Sequence, residues 1–87
     1  MKTANGYEFK GMVIPEYMAE GVDLYVADHI PPGGFLTAVI CNDLSKAVGA
    51  ADGENIHIIP AYIAYFYNEA PSDCWGSVEK YTKWVKD

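Results

Sequence analysis

The stretch DGENIHIIPAYIAYFYNEAP, residues 52–71, decides the fold. Asp52 suits a helix cap and Pro71 closes the segment, so the pattern predicts a helix from Asp52 to about Glu69. Pro60 lies inside it and has no N–H to give, so it either kinks the helix or marks a restart. On a 3.6-residue wheel Ile56, Ile59, Ile63, Phe66, Tyr67 and Ala70 form one broad apolar face, and Ile58, Tyr62 and Tyr65 form a second roughly opposite. A helix apolar nearly all round is covered on both sides. Two covers stay open at this stage. Either the remaining helices flank it with the N-terminal arm folded over, or the Ile58, Tyr62, Tyr65 face meets another subunit, a partner protein or a stacked ligand, a use that suits the stiff amphipathic tyrosine ring.

Working outward, Pro and Gly clusters divide the rest of the chain into three more helical segments after an arm at residues 1–13, with a short extended piece around Tyr7 to Phe9. Helix 1 is predicted from Pro15 to about Asp28, because Pro is preformed for a first helical position and IPPGG ends the pattern. Met18, Val22, Tyr25, Val26 and His29 share its inner face, and Glu16, Glu20 and Asp23 share the opposite one. Helix 2 is predicted from near Pro32 to near Val48, where GAADG supplies a stop. Its stripe is Leu36, Ile40, Leu44, Ala47 and Val48, with Phe35 and Val39 on the other side beside Asn42 and Lys46. Helix 4 runs from a Ser77 cap to the C-terminus, with Val78, Tyr81 and Val85 inward and Trp84 at the edge. Lys80, Lys83 and Lys86 sit in its later turns, where cations suit the dipole. The expected architecture is one all-α domain over residues 1–87: a small bundle of three principal helices and a short C-terminal fourth, packed around the 52–69 segment.

Composition narrows the function. Hydrophobic residues make up 51% and aromatics 14% of 87 residues, more apolar material than a small monomer usually hides, so self-association or a partner is expected. No apolar run nears the roughly 18 residues of a spanning helix, and MKTANGYEFK has no stretch resembling a signal peptide, which reads as a soluble intracellular protein without membrane contact. The net charge is −6, all six cations are Lys, and between residues 11 and 79 ten carboxylates face the single Lys46. Such a body repels phosphate backbones and lacks the Arg fork that reads phosphate and guanine, so direct nucleic-acid binding is not expected.

Candidate chemistry is sparse. His29, His57, Cys41 and Cys74 stand at no ligand-like spacing, so no metal site and no cofactor are expected. The two cysteines make no CxxC pair and read as free, buried thiols. Cys41 as a nucleophile would need an exposed, electropositive setting, and its place beside an apolar stripe argues for a structural thiol. The IPPGG turn could offer backbone N–H groups to a phosphate, but without a GxGxxG or GKS pattern it reads as an interhelical loop. The acidic face of helix 1 (Glu16, Glu20, Asp23) is either a solvated surface or an anionic patch that docks on a basic partner or competes with nucleic acid for a basic groove.

The strings IPPGGFLTAVICNDLSKAVGAAD, YFYNEAP and CWGS, with Trp84 following, resemble a group of short uncharacterised proteins encoded by tailed bacteriophages and prophages, over most of residues 14–84. The resemblance implies a context: expression in the cytoplasm of an infected bacterial host, among small accessory proteins that adjust host functions or neutralise defence systems. It transfers no functional residues. The expected function is therefore non-enzymatic: binding, and inhibiting or redirecting, a host macromolecule through acidic and aromatic surfaces. The alternative is an oligomeric sponge for a nucleotide signal, with Tyr62, Tyr65 or Trp75 stacking on a base; the absence of Arg counts against it. A structural virion or assembly component is the third reading.

Overall fold

The computed structural model describes residues 3–86. The chain is mostly helical, as expected, with five α-helices and one two-stranded sheet among the described residues. In order these are β1 (Glu8–Phe9), β2 (Met12–Val13), α1 (Glu16–Asp28), α2 (Gly34–Ile40), α3 (Leu44–Ala50), α4 (Ile59–Glu69) and α5 (Val78–Lys86). Short 3-10 turns at Asn55–His57 and Ser72–Cys74 precede α4 and α5.

The extended piece predicted near Tyr7 is the first strand of a tight hairpin, Phe9 pairing with Met12. Lys10 and Gly11 between them both have positive φ, 51° and 86°, the requirement of a two-residue turn that follows the natural twist of the strands. The arm is folded into the body. Ala4 and Ile14 are fully buried, and Asp23 of α1 holds the arm by accepting from the Thr3 hydroxyl at 2.6 Å and the Ala4 N–H at 2.9 Å.

Helix α1 follows its predicted bounds closely. Its buried residues Ala19, Val22, Tyr25 and Val26 repeat at helical spacing, and His29 ends it in the left-handed conformation (φ 60°), its N–H bonded to the Tyr25 carbonyl at 3.0 Å.

The predicted helix 2 is two helices. Asn42 takes a left-handed φ of 62° and the Asp43 side chain accepts from Lys46 N–H at 3.2 Å, so residues that compete with the backbone for hydrogen bonds stop one helix and cap the next. The expected stripe through Leu44 and Val48 therefore does not exist: Leu44 is 68% exposed, Val48 is also exposed, and Ala47 alone of α3 is buried. Helix α2 is instead enclosed on nearly all sides, burying Phe35, Leu36, Ala38, Val39 and Ile40.

The 52–69 segment is also divided, and of its two sequence readings the restart is the one that forms. Asp52 caps the 3-10 turn, accepting from Glu54 and Asn55 N–H at 3.0 and 2.7 Å, and α4 starts afresh at Ile59 with Pro60 in its first turn. The break at Ile58 (φ −129°, ψ 17°) uncouples the phase of residues 55–58 from that of 59–69, so one wheel drawn through both misplaces the faces. Inside the core lie Ala61, Tyr62, Tyr65 and Phe66; on the surface is Tyr67, 76% exposed, with Ile56 exposed too.

Helix α5 starts as expected, the Ser77 hydroxyl accepting from Lys80 N–H at 3.1 Å. It buries no residue completely, and Val78, expected inward, is exposed. Rings attach it: Tyr81 stacks on Tyr25 at 5.9 Å, and Trp84 stacks on His29 at 4.2 Å while its indole N–H donates to the Tyr25 carbonyl at 2.8 Å.

Candidate interaction surfaces

The second face expected on the 52–69 segment is interior. Tyr62 and Tyr65 are 0% exposed and Ile58 is half-buried against the core, so these three residues do not form a docking face. Their cover is intramolecular: Phe35 meets the Tyr62 ring edge-on at 5.3 Å, and Tyr7 of the arm meets Tyr65 edge-on at the same distance. Tyr62 is affordable inside because its hydroxyl donates to the buried Asn55 side-chain oxygen at 2.6 Å. A base could reach Tyr62 or Tyr65 only if the core opened. Trp75 is half-buried and stacked on Phe66 at 5.9 Å.

The acidic residues of α1 do lie together. Glu16, Glu20, Asp23 and Asp28 line an open depression of about 540 Å³ with Thr3, Asn5, Tyr17 and Leu24. Their roles differ. Asp23 is committed to the arm, whereas the exposed carboxylates of Glu16, Glu20 and Asp28 have no side-chain partner among the described residues. Tyr17 stands exposed beside them with its hydroxyl donating to Asp52 at 3.0 Å, which extends the negative field toward the start of the 52–69 segment. The Asp52 carboxyl is held below the usual value, first by the Asn55 N–H bond, so it stays ionised there.

A second surface was not anticipated. Because α4 is rephased and α3 turns away, Pro60, Ile63, Ala64 and Tyr67 of α4, Leu44 of α3 and Phe9 of the hairpin line an open groove with Ile59 and Asn68, about 460 Å³ in volume and without a charged residue. Two sequence signals could have found it. Asp43 three residues before Lys46 is a cap inside the apolar run, and Pro60 is a preferred first-turn residue, so counting from it puts residues 60, 63, 64 and 67 on one stripe.

The cysteines and His29 are tied into the packing of the fold. Both thiols are free; burial pushes Cys74 up to about 11 and also raises Cys41, which is half-buried, so neither is a thiolate nucleophile near neutral pH. His29 Nδ1 lies 2.6 Å from the Trp84 carbonyl and so serves the α5 attachment. Among the described residues no three His, Cys, Asp or Glu groups are placed to hold a metal ion, and no helix is long and apolar enough to cross a membrane. Comparison with known proteins gives no matching family model, no similar curated protein and no similar solved structure.

Proposed function

We propose that this chain is a non-enzymatic, phage-encoded accessory protein that binds a basic host macromolecule in the bacterial cytoplasm and inhibits or redirects it, with the acidic face of α1 as its docking surface. The observation that carries this reading is the unpaired row Glu16, Glu20 and Asp28 around an open depression, on a chain of net charge −6. A surface of one sign focuses field lines and speeds the approach of a cationic partner, and Tyr17 and Leu24 in the same depression supply apolar contact once it has arrived. The phage context rests on the sequence resemblance, which also makes a defence-system component the target class of first interest.

The test is association kinetics with a host protein captured from bacterial lysate. Glu16→Lys with Glu20→Lys should leave the helical signal intact, both residues being exposed, and slow association about tenfold; raised salt should slow the parent in the same way. An association rate indifferent to both changes means that the face is merely solvated, and the proposal fails.

A further inference from the structure

We propose that the groove on the outer side of α4 is the seam of a twofold homodimer, its occupant being the same groove of a second copy. Pro60, Ile63, Ala64 and Tyr67 stand at i, i+3, i+4 and i+7, the spacing with which one helix packs along another, and the two turns they span give a seam roughly 10 Å long. Small and large side chains alternate along it. Tyr67, 76% exposed, and Leu44, 68% exposed, stand out from the groove, whereas Ala64, 7% exposed, lies low in it. Antiparallel apposition of two α4 helices lays each Tyr67 toward the Pro60 end of the other, the self-complementarity that an isologous twofold contact demands.

Charge favours a second copy over a different partner. No ionised side chain lines the groove itself, and Lys10, whose ammonium lies 5.3 Å over the ring of Phe9, is exposed; the groove therefore offers little steering to a foreign charged surface, whereas its own twin matches its apolar character. Area sets the size of the contact. A tyrosine exposed to this degree presents roughly 150 Å², and complete coverage of every lining residue gives at most about 500 Å² per copy, so two copies bury no more than roughly 1,000 Å², the lower bound for a specific interface. A contact at that lower bound makes a reversible dimer that exchanges with its monomer. The groove shares no residue with the acidic depression of α1, so each dimer presents two acidic faces, and either proposal can fail without the other.

Sedimentation equilibrium of the full chain under reducing conditions, which excludes a disulfide through Cys41, tests this at low and high salt. The expected result is a concentration-dependent rise toward twice the 9.6 kDa monomer mass, stronger at high salt because two bodies of charge −6 repel at low salt. Leu44→Asp with Tyr67→Asp should abolish the dimer with the circular dichroism spectrum unchanged, both side chains being mostly exposed, and the milder Tyr67→Ala should weaken it about tenfold should the double variant fail to fold. A monomer at every concentration, a dimer that survives Tyr67→Ala undiminished, or one that salt dissociates would each overturn the proposal.

Discussion

Replacing Tyr62 by Phe removes one oxygen atom and asks directly whether this ring belongs to the core. Tyr62 is 0% exposed, and its hydroxyl donates at 2.6 Å to the side-chain oxygen of Asn55, itself 3% exposed. The lost bond has a net value of about 1 kcal/mol, and the acceptor left buried on Asn55 brings the total to about 1–3 kcal/mol. For a domain of this size a loss of about 2 kcal/mol lowers Tm by roughly 8–16 °C. The assay is thermal unfolding followed by circular dichroism, run as a double-mutant cycle with Asn55→Ala so that the coupling between the two side chains, about 1 kcal/mol, is isolated from the packing of the ring. A ring facing solvent or a partner would make the same substitution nearly neutral, within about 0.5 kcal/mol. A Tm shift of less than a few degrees, or zero coupling, refutes the interior placement and reopens Tyr62 as a docking residue.

Two further outcomes follow from the same core. Trp84→Ala removes the His29 stack and the bond to the Tyr25 carbonyl from a helix with no fully buried residue, so hydrogen exchange at residues 78–86 should accelerate well before exchange in α2 and α4, with a stability loss of about 2 kcal/mol, less than for a fully buried Trp; equal acceleration everywhere would show that α5 is not separately attached. Burial pushes the hydroxyls of Tyr25 and Tyr62 above the ordinary value, raises Tyr65 to about 12 and Cys74 to about 11, so the folded chain keeps protons that the unfolded chain releases; stability should be whole below about pH 9, start to fall there through Cys74, and fall more steeply above about pH 10 by up to roughly 1.4 kcal/mol per pH unit for each tyrosine, and denaturant midpoints that stay level to pH 11 would contradict this.

Local chemistry made much of this protein legible in advance. The start and stop of α1, the Ser77 cap, the extended piece in the arm, the acidic row of α1 and the predominance of helix all depend on signals contained within a few neighbouring residues: a proline at a first turn, a hydroxyl three residues ahead of an N–H, carboxylates at helical spacing. Exposure depended on more than that. Asn42 and Asp43 sit within an apolar run that reads as one helix, yet their side chains hold a bend that carries Leu44 and Val48 into solvent. The seven apolar or aromatic positions of residues 61–67 fit several wheels equally well, and only the restart at Ile59, the Asn55 acceptor waiting for the Tyr62 hydroxyl and the arm laid over Tyr65 by Asp23 selected the phase that buries the two tyrosines and leaves Tyr67 outside. Burying a phenol requires a partner for its hydroxyl, and for Tyr62 that partner, Asn55, lies across the break before the helix, while for Tyr25 it is the distant Cys74 carbonyl. Spacing along the sequence therefore determined which segments coil, while the tertiary structure decided which of their faces meets water, and so which surface is free to bind.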